Sequence, residues 1–216
     1  MAVAFDAAEM AFVVALALGV GHIAARYSGR SSLAGVLKPL PIALFVALVV
    51  ATGDAHGEAY RWLIVAGLLL SMAGDVLLVF PDRFVAGLAS FLAAHLVYIV
   101  AFSREARPHL GLLVPFLVFC LAMLRVLWAR LGTDRGPVVV YVAAIAVMGW
   151  RAAARAVSPG VPEPSATLAL AGALLFMTSD GVLAVNRFAR PFRAADAVVM
   201  TTYYAAQALI AASAIA

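Results

Sequence analysis

Apolar residues run along this chain in long stretches, and short polar segments separate them. A helix needs about 20 mostly apolar residues to cross the hydrocarbon core of a bilayer, and the stretches have that length. Gly and Pro lie at most of the interruptions, where a helix has to end or begin again. The pattern predicts eight transmembrane helices, near residues 8–26, 35–52, 61–80, 84–103, 109–129, 137–157, 164–186 and 193–215.

The composition agrees with a membrane protein. Of the 216 residues, 66% are hydrophobic and 12% are charged, against roughly 45–50% and 25% in a soluble domain. Eight helices leave no length for a separate soluble domain, so we expect an all-α bundle in a single integral membrane domain, residues 1–216. The first apolar segment follows Asp6 and Glu9 and lacks a basic n-region, so we expect it to be a retained helix and not a signal peptide.

The basic residues indicate how the bundle is oriented. They are more frequent beside the loops that follow odd-numbered helices, and the formal net charge is +4. The positive-inside rule then places those loops in the cytoplasm and both termini outside. Because the charge lies in the loops between helices, it predicts membrane orientation and no nucleic-acid partner. Separately, we expect the membrane to be a bacterial inner membrane.

Two acids interrupt the apolar helices, Asp75 in the third and Asp180 in the seventh. An ionised Asp at the centre of a membrane helix costs about 2.5–3.5 kcal/mol, so both should face the bundle interior with a partner or a proton. Such acids indicate a functional site; the alternative is a structural hydrogen bond to a neighbouring helix. A shift that aligns Asp75 with Asp180 also aligns Tyr98 with Tyr203, which suggests two four-helix halves.

Further polar side chains lie on the fourth and eighth helices. His95 and Tyr98 are three residues apart and share a face, and either a functional or a structural role fits them. Tyr203 and Gln207 form a polar stripe on the eighth helix, with Tyr204 beside it. Lipid would not tolerate this stripe, so it should face the interior.

Lys38 and Asp196 lie near predicted helix ends, and each has two interpretations. Lys38 either extends toward the headgroups or supplies a cation for a substrate phosphate. Asp196 is either solvated at the interface or part of the site. His22, His56 and His109 are scattered without metal-ligand spacing, which disfavours a zinc hydrolase, although ligands can converge from separate helices. We predict no metal and no cofactor.

Several segments together resemble the YhhN-like lysoplasmalogenase family: KPLPIAL (38–44), GDVLL with F-x-x-G-L and AAHLVYI (74–99), GALLFMTSD with LAVNRF (172–188), and TYYAAQALI (202–210). The resemblance implies an eight-helix membrane enzyme that hydrolyses the vinyl ether bond of lysoplasmalogens to a fatty aldehyde and a glycerophospho-base. Its partners would be a lysophospholipid substrate and bilayer lipids. Asp75 and Asp180 match the family's motif acids, and its other polar motif positions match Lys38, His95, Tyr98, Tyr203 and Gln207.

Vinyl ether hydrolysis suits two carboxyl groups. The reaction needs an acid that protonates the alkene and an anion that stabilises the resulting oxocarbenium-like cation, as in glycosidases. We therefore expect Asp75, Asp180 and His95 to be catalytic. The residues that we expect to bind substrate are Lys38, Tyr98, Tyr203, Tyr204 and Gln207.

A different function class uses the same acids. A proton-coupled transporter or lipid-translocating protein would employ them as a proton relay. A purely structural membrane protein leaves two buried acids without a role. For the enzyme, we expect a lipid-shaped cavity that opens toward Lys38 and has Asp75 and Asp180 on its wall.

Overall fold

Nine α-helices make up most of the chain that the computed structural model describes, which is residues 7–52, 57–104 and 106–216. Gly53, Asp54 and His56 lie outside the described residues. The helices are α1 (Ala7–Tyr27), α2 (Ser31–Leu37), α3 (Leu40–Ala51), α4 (Glu58–Leu78), α5 (Phe84–Ser103), α6 (Leu113–Leu127), α7 (Arg135–Ala156), α8 (Glu163–Ala184) and α9 (Ala195–Ala212).

The all-α membrane fold is confirmed. Seven helical segments in the described residues are long and apolar enough to cross a membrane, with α2 and α3 counted as one segment. α9 packs against α8 as a further long helix. The protein is therefore an integral, multi-pass membrane protein, and its helices fall within a few residues of the predicted ranges.

The second predicted helix, 35–52, is wrong as one continuous element. α2 ends at Leu37 and α3 begins at Leu40, with Lys38 and Pro39 between them. Pro39 and Pro41 have no N–H group, so two carbonyl groups of α2 lose the partner that a continuous helix would give them. The Tyr204 hydroxyl donates a hydrogen bond to the Lys38 carbonyl at 3.0 Å, which ties this break to α9.

Two antiparallel hairpins, α4 with α5 and α8 with α9, form the centre of the bundle. Small residues let the paired helices approach closely, as is common in membranes. A Cβ on Gly67 would overlap the Tyr98 ring, and a Cβ on Gly172 would lie 2.9 Å from the Ala206 carbonyl oxygen. The two hairpins therefore bring the third, fourth, seventh and eighth predicted helices into one core.

Several helix breaks and turns lie at the same end of the bundle. The α2–α3 break lies there, as do the turn Pro81–Arg83 between α4 and α5 and the π-helical turn Val185–Ala189 after α8. The Arg187 guanidinium lies 4.6 Å from the centre of the Phe84 ring, which links the last two of these turns. At the periphery, α6 packs against α7, and a groove stays open among α5, α6, α7 and α8.

Candidate active site

Asp75 lies in α4, near the end of the bundle where the breaks and turns lie, and is 1% exposed. The Lys38 Nζ is 3.5 Å from its Oδ1, and the Tyr203 hydroxyl donates a hydrogen bond to its Oδ2 at 2.6 Å. Each carboxylate oxygen therefore has a partner from outside α4, one in the α2–α3 break and one in α9. A buried carboxylate needs such compensation, and here it includes a cation.

Lys38 reaches Asp75 because the helix break directs its side chain into the bundle. Its side chain is 14% exposed. An ammonium held beside a buried carboxylate is not extended toward the headgroups, so the snorkelling interpretation of Lys38 is wrong. Its position makes it the counter-ion of Asp75.

Asp180 lies in α8, and within the described part of the chain no lysine or arginine pairs with it. The Tyr141 hydroxyl donates a hydrogen bond to its Oδ2 at 2.9 Å, and the His95 Nε2 lies 3.4 Å from the same oxygen. The residue is 8% exposed. The two acids thus occupy similar places in the two hairpins but differ in their partners.

His95 is fully buried in α5 and lies among aromatic rings. Its ring centre is 4.6 Å from that of Phe176 and 5.4 Å from that of Tyr141. The imidazole therefore contacts Asp180 from within an apolar wall.

Two cavities border the acids. The first, which we call the polar cavity, has a volume of about 310 Å³ and is lined by Lys38, Asp75 and Asp180 among others. The expected cavity on the Lys38 side is therefore present, with both acids on its wall. The second, the apolar groove, has a volume of about 470 Å³ and lies among α5, α6, α7 and α8. Phe84, Asp180 and Leu183 line both.

Tyr98 and Gln207 are joined to each other and are absent from the lining of both cavities. The Tyr98 hydroxyl donates a hydrogen bond to the Gln207 Oε1 at 2.9 Å, between α5 and α9. Both side chains are fully buried. The structure brings these two predicted residues together, but neither lines the cavities that Asp75 and Asp180 border.

Asp196 forms an ion pair with Arg26 of α1, with 3.0 Å between Oδ2 and Nε. Both side chains are about half exposed, and both residues line the polar cavity. His22 also lines this cavity, where its Nδ1 lies 2.8 Å from the Ala34 carbonyl oxygen. Among the described residues, no group of three or more His, Cys, Asp and Glu is placed to hold a metal ion.

Comparison with known protein families assigns the chain to one of them. Residues 33–214 match the YhhN family, and that match covers most of the sequence. The chain belongs to the YhhN family. The resemblance that the motifs indicate is confirmed.

Relatives of this YhhN-family chain cover most of its length. Lysoplasmalogenase TMEM86B of Sus scrofa is 40% identical over 180 residues, which is 82% of this chain and 74% of the relative. Lysoplasmalogenase TMEM86A of Homo sapiens is 36% identical over 197 residues, or 87% and 80%. The lysoplasmalogenase of Mycobacterium tuberculosis is 35% identical over 205 residues, or 88% and 76%. No solved structure is significantly similar.

Tyr141 and Arg26 of this YhhN-family chain line the two cavities, although neither is among the site residues that the sequence predicts. Tyr141 carries the hydroxyl in the apolar stretch VVVYVAAIAV (138–147), and it bonds to Asp180. A buried tyrosine hydroxyl usually has a partner, so that signal was present in the sequence. Arg26 gave no such signal, because an arginine at a helix end is common in membrane proteins.

Proposed function

We propose that this chain is a membrane-embedded hydrolase that cleaves the vinyl ether bond of lysoplasmalogens, releasing a fatty aldehyde and a glycerophospho-base. Curated relatives named lysoplasmalogenase, at 34–40% identity over most of the chain, support the activity. The observation that carries the mechanism is that Asp75 and Asp180 line one cavity with different partners. The relatives' names favour hydrolysis over the transport alternative.

The partners of the two acids suggest different roles for them. Asp75 has a lysine ammonium at 3.5 Å and therefore suits the role of the carboxylate. Asp180 has a tyrosine hydroxyl and an imidazole as partners. A buried carboxyl without a cation is less costly when it is protonated, so Asp180 suits the role of the acid.

Hydrolysis then proceeds in three steps. Asp180 donates its proton to the alkene carbon remote from the ether oxygen, and an oxygen lone pair forms the oxocarbenium ion, which the Asp75 carboxylate stabilises. Water adds to the cationic carbon and returns a proton to Asp180, which leaves a neutral hemiacetal. The hemiacetal hydroxyl forms the aldehyde carbonyl, the bond to the glycerol oxygen breaks, and that oxygen takes up the proton.

Two other side chains, His95 and Tyr203, position these acids in the proposal. His95, 3.4 Å from Asp180, orients the carboxyl that donates the proton. Tyr203, bonded to Asp75, keeps the carboxylate on the cavity wall, and it also lines that cavity. A substrate in the polar cavity would therefore meet Asp75, Asp180 and Tyr203.

The test is aldehyde release from a lysoplasmalogen by the purified protein in detergent. Asp75→Asn and Asp180→Asn should each lower kcat by about 100-fold or more, since a positioned general acid or base contributes roughly 10²–10⁴. Asp82→Asn is the matched control, because Asp82 lies exposed in the α4–α5 turn beside Arg83. If both variants of the buried acids stay folded and turn over near the wild-type rate, the mechanism is wrong.

We further propose that residues 1–216 form a single integral domain in a bacterial inner membrane, with both termini outside. The distribution of basic residues supports this orientation, which places the polar cavity at the cytoplasmic end. Reporter fusions at the C-terminus, one active only outside and one active only in the cytoplasm, would test it. Activity of the cytoplasmic reporter would contradict the orientation.

A further inference from the structure

The two cavities meet at Asp180. Phe84, Asp180 and Leu183 line both the polar cavity and the apolar groove. A molecule that occupies both spaces must therefore pass beside the Asp180 carboxyl. Both volumes are within the roughly 300–1,000 Å³ typical of small-molecule sites.

The walls of the two cavities differ in chemistry. Arg26, Lys38 and Asp196 line the polar cavity, together with His22 and Ser31. The groove is lined mainly by apolar side chains of four helices, including Leu92, Phe119 and Ile145. One side is thus suited to a charged group, and the other is suited to hydrocarbon.

The groove is accessible from the lipid-facing surface of the bundle. Val85 lines it and is 78% exposed, although it belongs to a membrane-spanning segment. A bilayer would cover this face. A lipid chain could therefore enter the groove sideways, without leaving the hydrocarbon.

A lysoplasmalogen changes from polar to apolar at its vinyl ether bond, because the glycerophosphate ends there and the hydrocarbon chain begins. We propose that the headgroup phosphate binds in the polar cavity with Arg26 as its cation and that the alkenyl chain binds in the apolar groove. The vinyl ether then lies at Asp180. This inference rests on the proposed function and assigns its substrate subsites.

Arg26 is the cation for the phosphate because Lys38 is engaged by Asp75 at 3.5 Å. Asp196 contacts Arg26 through Nε. A guanidinium has five N–H donors, and its terminal groups suit a phosphate. Asp196 then acts as a positioning residue that holds Arg26 at the mouth of the polar cavity.

The proposed binding site for the alkenyl chain, which we call the chain subsite, is tested with inhibitors that cannot react. Saturated alkyl ether lysophospholipids with octyl and hexadecyl chains are measured as competitive inhibitors. Ala89→Trp on α5 and Val138→Trp on α7 each place an indole in the groove. We expect the hexadecyl inhibitor to weaken by about tenfold or more, since each methylene kept out of the groove costs roughly fourfold in affinity.

The same variants have internal controls. The octyl inhibitor should keep its affinity within about twofold, because a short chain occupies little of the groove. Ala86→Trp is the matched substitution: Ala86 is also exposed on α5, but it lines neither cavity. It should bind both inhibitors as the wild type does.

The phosphate subsite is tested by removing the phosphate. Arg26→Gln should weaken a hexadecyl lysophospholipid inhibitor by about tenfold, because a charge-assisted hydrogen bond is lost. It should leave binding of the corresponding alkylglycerol, which has no phosphate, unchanged. Arg30→Gln is the control, since Arg30 is an exposed arginine four residues after Arg26, just beyond the end of α1, and lines neither cavity.

The outcomes separate the subsites from the activity. The proposal is supported if Ala89→Trp and Val138→Trp both weaken the hexadecyl inhibitor but not the octyl inhibitor. It also requires that Arg26→Gln weakens the lysophospholipid inhibitor but not the alkylglycerol. Equal effects of Ala89→Trp, Val138→Trp and Ala86→Trp on both inhibitors refute the chain subsite, even if the wild type hydrolyses lysoplasmalogens. Binding with the expected pattern but without aldehyde release would refute the proposed function alone.

Discussion

The Lys38–Asp75 ion pair can be tested through both stability and activity. Lys38→Met removes the ammonium from Asp75, which is 1% exposed. The carboxylate keeps the hydrogen bond from the Tyr203 hydroxyl. Breaking a buried pair in this way costs about 3–5 kcal/mol. Because the bond from Tyr203 persists at 2.6 Å, we expect the lower end, about 3 kcal/mol.

A second substitution distinguishes two causes of instability: the buried unpaired Asp75 carboxylate, and the loss of the ion pair itself. Lys38→Met combined with Asp75→Leu removes both charges of the pair, and replacing a buried pair with apolar residues is often neutral. The double variant should therefore recover most of the stability that the single variant loses. It should remain inactive, because the proposed carboxylate is gone.

The assay combines reversible unfolding in mixed micelles with aldehyde release at saturating substrate. Wild type, both single variants and the double variant give a complete double-mutant cycle for Lys38 and Asp75. A coupling energy near zero would refute the argument that the ammonium compensates this acid. Activity in the double variant would refute the role of Asp75.

Two further predictions concern the other acid and the helix packing. Tyr141→Phe should lower kcat about fivefold with little change in KM, because Asp180 loses a hydrogen bond worth roughly 0.5–1.5 kcal/mol; steady-state kinetics would show this, and a change in KM alone would contradict it. Gly67→Ala should destabilise the protein by about 1–3 kcal/mol, because its Cβ would overlap the Tyr98 ring. Gly136→Ala, in open space at the start of α7, should not destabilise it; equal thermal stability of the two variants would contradict the packing argument.

Some features of the site follow from a single sequence. Asp75 and Asp180 interrupt apolar helices and cannot face lipid, so their placement inside the bundle was predictable. The shared spacing of Tyr98 and Tyr203 after these acids suggested two four-helix halves, which stays a prediction. The structure pairs α4 with α5 and α8 with α9 and places both acids on the wall of one cavity.

The partners of the acids could not be predicted in the same way. Most helices here are apolar on all sides, so periodicity does not indicate which face meets a neighbour. The bond from Tyr141 to Asp180 depends on how α7 is rotated against α8. The contact from Lys38 to Asp75 depends on the α2–α3 break, which the prolines allow but whose direction is set by packing.

The apolar groove changes what substrate concentration means for this protein. Its lipid-facing side lies where a bilayer would cover it, so in the proposed arrangement a lipid would reach Asp180 by lateral diffusion. The quantity that sets occupancy is then the mole fraction of substrate in the membrane, and diluting the membrane with inert lipid would lower the rate at constant bulk concentration. A fatty aldehyde released in the groove would enter the same hydrocarbon phase, which keeps a reactive product out of the water.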